Sequence, residues 1–140
     1  MREVIVRLLR PSGRLPHQAS PDAAGYDVFA ADDVVVPARG RALVPTAIAL
    51  GLPRDCEAQV RPRSGLALHE GISAHFGTID PDYRGELMVL LWSHRDTDYT
   101  VKAGERVAQI VLAPIVRATF REGELDDTAR GEGGFGHTGR

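Results

Sequence analysis

The chain has 140 residues, of which 43% are hydrophobic and 26% are charged, and its formal net charge is −2. This length and composition favour a single globular domain with its own core. The small net charge excludes a general attraction to nucleic acid or to anionic membranes, so a phosphate ligand would have to be held by individually placed groups. Cys56 is the only cysteine, which excludes an intrachain disulfide and favours a small strand residue over a nucleophile.

The first residues lack the apolar region of a secretory signal, and no apolar run approaches membrane-spanning length. We therefore expect a cytoplasmic protein without a membrane partner. Short aliphatic runs separated by Gly, Pro and Asp turns lie at residues 4–9, 34–36, 43–50, 87–92 and 107–116. Many short strands at this spacing predict an all-β sandwich or barrel.

One segment has a helical pattern instead. Residues 64–70 predict one or two helical turns, with Ser64 as the N-terminal cap and Gly71 as the end. Because unpaired N–H groups at a helix start attract anions, Arg63, Ser64 and Gly65 together could bind a phosphate. A capped helix preceded by solvated arginines is the alternative that this segment alone favours.

The string from Gly77 to Glu86 predicts a tight hairpin rich in carboxylates. Asp80 follows the apolar Ile79 at a strand end, where a fixed carboxylate could orient and deprotonate a water molecule. Asp27, predicted to lie in a loop, could reach a magnesium ion directly or through water. In residues 104–110 a turn enters a strand, and Gln109 offers its amide to a phosphate oxygen or to a water molecule.

From about residue 121 the chain becomes charged and rich in glycine. We therefore divide it into a β domain, residues 1–120, and a C-terminal arm, residues 121–140. The final eleven residues place five glycines around Phe135, with an arginine at either end. Such a composition suits a polyanion that carries a flat ring, since guanidinium and backbone N–H groups bind phosphates and an aromatic face stacks.

These segments together resemble the dUTPase (dUTP diphosphatase) family, which carries five short motifs in fixed order. The matching stretches are residues 24–27, 63–67, 77–85, 104–109 and 130–136. The resemblance runs from about residue 4 to the C-terminus. It implies a jelly-roll-like β subunit of the β-clip type that forms a homotrimer, with active sites shared between subunits and closed by the glycine arm. It also implies Mg²⁺-dependent hydrolysis of dUTP to dUMP and pyrophosphate, which supplies thymidylate synthesis and keeps uracil out of DNA.

The resemblance also implies roles for individual residues. Asp80 would orient the water that attacks the α-phosphorus, and Tyr83 would pack against the deoxyribose and reject UTP. Asp27 would bind Mg²⁺ through water. Backbone groups of the Gly77, Thr78 and Ile79 stretch would pair with uracil. Ser64, Gly65 and Gln109 would hold the phosphates, with Arg63 supporting that site. In the arm, Arg130 would grip the γ-phosphate, Phe135 would stack on uracil, and His137 and Thr138 would lie beside the terminal phosphate. Gly136 is a further implied substrate-binding residue of the arm.

Two other interpretations remain open from the sequence. A dCTP deaminase, or a bifunctional deaminase with dUTPase activity, would share the fold, and residues 79–81 faintly resemble that group. A noncatalytic nucleotide-binding trimer, using the arm as a ligand-gated docking surface, belongs to a different class. Ammonia release from dCTP would identify the first, and binding of dUTP without turnover would identify the second.

Overall fold

The computed structural model describes residues 3–135, and it is built from twelve short strands and one helix. The elements, in chain order, are β1 (Ile5–Leu8), β2 (His17–Gln18), β3 (Tyr26–Phe29), β4 (Val34–Val36), β5 (Arg41–Pro45), β6 (Ile48–Gly51), β7 (Cys56–Arg61), α1 (Ser64–Glu70), β8 (Ile72–Ala74), β9 (Gly77–Ile79), β10 (Met88–Ser93), β11 (Tyr99–Val101) and β12 (Arg106–Pro114). The all-β prediction with one short helix is confirmed. No helix within residues 3–135 is long and apolar enough to cross a membrane.

Every strand pairing in the described chain is antiparallel. The largest sheet has the order β2-β3-β12-β7-β9, and a second sheet has the order β5-β10-β8. Two further pairs, β1 with β6 and β4 with β11, complete the set, so these strands form sheets that pack together and not one closed barrel. Of the two predicted architectures, a sandwich or a barrel, the structure is the sandwich.

The core lies between these sheets because the strands alternate in polarity. In β7, Cys56, Ala58 and Val60 are buried while the residues between them point outward, which is the period-two pattern of a sheet with one covered face. The inward-facing side chains of other strands, Val28, Val44, Leu91 and Ile110 among them, join the same buried cluster.

Residues 43–50, predicted as one strand, form parts of β5 and β6. The break is at Thr46 and Ala47, where Ala47 adopts a left-handed backbone conformation with φ of 57°. An alanine rarely adopts this conformation without surrounding contacts that fix it. Those contacts come from residues distant in sequence, which is why the aliphatic run alone did not reveal the break.

The predicted hairpin at residues 80–86 is a turn between two different sheets. Tyr83 N–H donates to the carbonyl oxygen of Asp80 at 3.1 Å, which closes the turn. The flanking strands do not pair with each other: β9 pairs with β7, and β10 pairs with β5 and β8. The hairpin prediction is therefore wrong, although the turn itself is present. We call this segment the 80–86 turn.

Beyond β12 the chain has no regular secondary structure as far as residue 135. Its large apolar side chains are almost fully exposed, with Val116, Phe120 and Leu125 each above 90%. A short turn is present within it, because Gly131 N–H donates to both the carbonyl and the hydroxyl oxygen of Thr128. These residues include most of the predicted arm.

Candidate active site

Asp27 lies in β3, not in a loop as predicted, and its side chain is buried under two arginines. Arg63 Nε donates to one carboxylate oxygen at 2.9 Å, and Arg106 Nη1 donates to the other at 3.3 Å. Only 11% of the Asp27 side chain is exposed. We call these three residues the arginine cluster. Its geometry fixes two guanidinium groups at the ends of β7 and β12.

Gln109 lies in the same region. It pairs in register with Asp27 of β3 on one side and with Arg61 of β7 on the other. A bulge between Arg106 and Ala108 sets this register, because one extra residue shifts which side chains face outward. The Gln109 amide N–H donates to the carbonyl oxygen of Pro62 at 3.0 Å, so the side chain is held between the two strands.

Gly25 is required by this arrangement. A Cβ atom at Gly25 would lie 2.0 Å from Gln109 Oε1. Any side chain there would push the amide away. The first and fourth motifs of the resemblance thus meet at one place, and the glycine in the first makes room for the glutamine in the fourth.

Helix α1 begins directly after Arg63. Its N-terminal cap is Arg63, with no side-chain capping hydrogen bond, so the prediction that Ser64 caps the helix is wrong. Ser64 is instead the first helical residue, and it is exposed. Gly71 ends the helix as predicted, in a left-handed conformation, with N–H bonds to the carbonyls of Ala67 and Leu66.

Gly65 faces open space, since a Cβ atom there would meet no described atom within 4 Å beyond its chain neighbours and the backbone of its own helix. Its backbone φ is also outside the left-handed region, since it is absent from the positive-φ glycines of the described chain. Neither packing nor backbone conformation within this chain therefore requires a glycine at this position. The missing side chain leaves the backbone open to something outside the chain.

Asp80 and Tyr83 belong to a second, separate group of residues. A cavity of about 170 Å³ is lined by Thr78, Ile79, Asp80, Tyr83, Glu86 and Met88. Asp80 directly follows β9, as predicted, and it also borders a larger polar cavity of about 720 Å³. No other described residue donates a hydrogen bond to its carboxylate. This carboxylate is open to a water molecule or a ligand.

The Tyr83 side chain has a fixed position although it is 45% exposed. Its hydroxyl donates to the backbone carbonyl oxygen of Glu86 at 3.0 Å. Its ring covers Gly85, where an added Cβ would lie 2.4 Å from the Tyr83 oxygen. The turn therefore presents the tyrosine edge next to the cavity that Asp80 borders.

Within one chain the two groups are far apart. Strand β9 pairs Gly77 with Val60 and Ile79 with Ala58 of β7, so Asp80 continues toward the Cys56 end of β7. Gln109 pairs with Arg61 at the opposite end. At about 3.3 Å per residue, the four-residue offset between them is roughly 13 Å along the strand. The described residues of a single chain thus do not bring Asp80 to the phosphate-binding candidates.

The arm residues are only partly described. Arg130 Nε donates to the carbonyl oxygen of Gly133 at 2.8 Å, and Phe135 is fully exposed with φ of 50°. Neither contacts the arginine cluster or the cavity beside Tyr83. Gly136, His137 and Thr138 lie outside the described residues.

Two residues of this region were missed from the sequence. Arg106 lies in the fourth motif and was not assigned a role there. No local signal in that motif links Arg106 to Asp27, which lies 79 positions away in the sequence. Glu86 lines the Tyr83 cavity and accepts two hydrogen bonds from Arg10, which lowers its pKa from the usual glutamate value. No local sequence signal links Glu86 to a residue 76 positions away.

The comparisons with known proteins agree with this architecture. The family model described as dUTPase matches residues 12–139. The chain belongs to the dUTPase family. Two relatives are named deoxyuridine 5'-triphosphate nucleotidohydrolase. One, from Syntrophotalea carbinolica, is 52% identical over 96% of this chain and 95% of its own length. The other, from Candida albicans, is 48% identical over 96% of this chain and 87% of its own length.

Solved structures of the family share the fold closely. A point mutant of the Staphylococcus bacteriophage 80alpha dUTPase with bound dUpNHpp has a TM-score of 0.94, is 25% identical, and covers all of both chains. A mutant dUTPase of the S. aureus phage phi11, described with a structural Mg(II) ion, has a TM-score of 0.83 at 24% identity. It covers 89% of this chain and 98% of its own. The expected fold of the family is thereby confirmed.

Proposed function

We propose that this protein hydrolyses dUTP to dUMP and pyrophosphate in a homotrimer whose active sites are shared between subunits. Three observations support the proposal: membership of the dUTPase family, an open carboxylate at Asp80 beside a small cavity, and a separate arginine cluster at Asp27. The observation that carries the shared site is the separation of these two groups along β7.

In the proposed reaction, Asp80 accepts a proton from a water molecule while the water oxygen attacks the α-phosphorus. The bond between that phosphorus and the bridging oxygen to the β-phosphorus breaks, and pyrophosphate leaves. A base must reach the water directly, at hydrogen-bond distance. Roughly 13 Å along one strand is too far for Asp80 to act on a phosphate held by Gln109 of its own chain. A neighbouring subunit would supply the second group.

The phosphate side would use the groups fixed beside β7 and β12. Arg63 is positioned by its ion pair with Asp27, and Gln109 is held by the Pro62 carbonyl. The Ser64 hydroxyl and the open backbone N–H of Gly65 would donate hydrogen bonds to the phosphate oxygens, and Arg106 would add positive charge. Fixed charges and N–H groups stabilise the transition state because they need no rearrangement during the reaction.

The side chains of the described residues indicate how a magnesium ion could be held. No group of three or more His, Cys, Asp or Glu within residues 3–135 could enclose a metal ion. The Asp27 oxygens each accept one arginine hydrogen bond, and a carboxylate oxygen has a further lone pair for a metal-bound water. The residues fit outer-sphere binding to a magnesium ion carried by the triphosphate. Held there by Asp27 through water, a magnesium ion would supply positive charge to the phosphates.

The base and sugar would occupy the cavity beside the 80–86 turn. The backbone from Gly77 to Ile79 would pair with uracil, and Tyr83 would leave no room for a 2′-hydroxyl. Residues 121–140 would act as the arm: Arg130 would bind the γ-phosphate, Phe135 would cover the uracil ring, and Gly136, His137 and Thr138 would complete the closure. Closing a site in this way excludes water. A cytoplasmic role in providing dUMP and removing dUTP is part of this proposal.

The test is a substrate panel with the purified protein and Mg²⁺. Pyrophosphate release is measured with dUTP, dCTP, dTTP and UTP, with and without EDTA, and ammonia is assayed in parallel. Release confined to dUTP, lost with EDTA and free of ammonia, is the expected result. Ammonia from dCTP would make the protein a deaminase, and binding of dUTP without turnover would make it a noncatalytic binder.

A further inference from the structure

An ion pair outside the family motifs holds the 80–86 turn against the N-terminal part of the chain. The Arg10 guanidinium donates two hydrogen bonds to the two carboxylate oxygens of Glu86, at 3.0 and 3.1 Å. This fork-to-fork geometry fixes direction as well as distance. A weaker contact of 3.5 Å joins the same guanidinium to Asp32. Only 22% of the Glu86 side chain is exposed.

The same carboxylate is tied to the break between β5 and β6. Ala47 N–H donates to Glu86 Oε1 at 2.7 Å, and the neighbouring Leu87 N–H donates to the carbonyl oxygen of Ile48 at 2.8 Å. Leu9 N–H donates to the Ala47 carbonyl oxygen, also at 2.8 Å, which brings Arg10 to this place. Two other parts of the chain, residues 9–10 and 47–48, therefore meet at Glu86.

Glu86 also contacts Tyr83, the residue proposed to pack against the deoxyribose. Its backbone carbonyl accepts the hydrogen bond from the Tyr83 hydroxyl, and its side chain lines the same cavity as Asp80 and Tyr83. The Tyr83 ring is covered on one side by Gly85 and is otherwise nearly half exposed. The hydroxyl anchor on Glu86 is thus the hydrogen bond that holds the ring in place.

We propose that Arg10 is a positioning residue for sugar discrimination, acting through Glu86 to hold Tyr83 against the deoxyribose. The inference rests on the proposed function, since it assigns a specificity role within that site. Arg10 itself touches no substrate. Without its two hydrogen bonds the Glu86 backbone can shift, the tyrosine edge follows, and space opens for a 2′-hydroxyl.

The inference is tested by comparing nucleotides, not by activity alone. Arg10→Gln and Glu86→Gln are each measured for kcat/KM with dUTP, and for UTP as a competitive inhibitor of dUTP hydrolysis. We expect the UTP inhibition constant to fall about tenfold relative to the KM for dUTP, a change typical of one repositioned contact in a binding pocket. In the Glu86→Gln variant the glutamine Oε1 can still accept the hydrogen bond from Ala47 N–H. This variant should therefore keep the 80–86 turn folded, and it tests the inference even if Arg10→Gln unfolds the turn.

Asp32→Asn is the matched control, because it removes the other partner of Arg10 and leaves the Glu86 contact in place. It should leave the UTP to dUTP ratio unchanged, and Arg10→Lys should restore part of the discrimination lost in Arg10→Gln. The double variant Arg10→Gln/Glu86→Gln should show no larger shift than either single change. If the folded variants weaken both nucleotides by the same factor, the pair is structural only and the inference is wrong. Absence of dUTP turnover by the unaltered protein would instead contradict the proposed function.

Discussion

The two aspartates of the candidate site have opposite surroundings. Asp27 is buried, and two arginines bind its carboxylate. Asp80 is exposed at the start of a turn, and no other described residue donates a hydrogen bond to its side chain. An aspartate that positions cations needs fixed partners, whereas one that accepts a proton from water needs an open carboxylate. This difference supports the different tasks that we propose for the two residues.

The two regions are alike in one respect, because each is held together by contacts within one chain. The arginine cluster is complete within one chain, because β3, the start of α1 and β12 supply all of its members. The Asp80 turn is likewise complete, held through Glu86. What one chain lacks is proximity between them. Each half is therefore complete in the folded chain, and the proposed trimer would bring the two halves together.

The largest expected effect is at Asp80. Asp80→Asn removes the base while keeping the shape of the side chain, so kcat for dUTP should fall by about 10²–10⁴-fold with dUTP binding retained. Asp82→Asn is the matched control, since it alters an exposed aspartate of the same turn and should leave kcat within a few-fold. Steady-state kinetics and equilibrium binding measure both quantities. Near-normal turnover of Asp80→Asn would remove Asp80 from the mechanism.

A substitution at Gly65 is expected to have opposite effects on stability and on activity. Gly65→Ala should stabilise the protein by up to about 1 kcal/mol, because alanine is the better helix former and the position is sterically open. The same methyl group should hinder a phosphate approaching the backbone and lower kcat/KM by about tenfold. Thermal unfolding measures the expected gain in stability, and steady-state kinetics on the same preparation measure the expected loss in kcat/KM. A variant that is more stable and fully active would place the phosphate elsewhere.

The smallest effect concerns acid stability at the Asp80 half. Hydrogen bonds from Arg10 lower the pKa of Glu86, with a further contribution from Ala47 N–H. A carboxyl whose folded pKa is lowered stabilises the protein above its unfolded pKa, and this contribution disappears as pH falls through the folded value. Unfolding by urea at pH 7 and at about pH 3 should therefore show a steeper loss in the unaltered protein than in Glu86→Gln. Equal losses would mean that Glu86 titrates alike in the folded and unfolded chains.

The sequence predicted the fold class well because short aliphatic runs and turn residues are local signals. It failed at residues 43–50, where contacts to Leu9 and Glu86 impose a left-handed alanine. It also placed Asp27 in a loop, since a tyrosine and an aspartate between glycine and valine do not reveal a strand whose partner is β12. The sequence pattern predicts local structure, whereas the exceptions at residues 43–50 and at Asp27 depend on contacts with residues far away in the sequence.

For the candidate site, the motifs placed Asp80 after a strand and Gln109 within one, and the structure agrees. The motifs did not reveal the Arg106 contact to Asp27 or the Arg10 contact to Glu86, because each joins residues far apart in sequence. Nor could spacing along the chain show that Asp80 and Gln109 lie toward opposite ends of β7. That separation follows from strand register alone.

The most direct test of the shared site is complementation between two inactive variants. Asp80→Asn removes the base, and Ser64→Asp places a repelling carboxylate on the phosphate side at an exposed helix start that tolerates negative charge. Each alone should be nearly inactive, with His69→Asp as a charge control on the exposed face of the same helix. Subunits of the two variants are mixed one to one, unfolded and refolded together, and dUTP hydrolysis is measured.

If each site takes Asp80 from one subunit and Ser64 from another, random assembly leaves about one site in four with both residues intact. The mixture should then recover about a quarter of the unaltered activity. A mixture as inactive as its parents, with trimers containing both variants demonstrated by mass, would show that each site lies within one chain and would contradict the account.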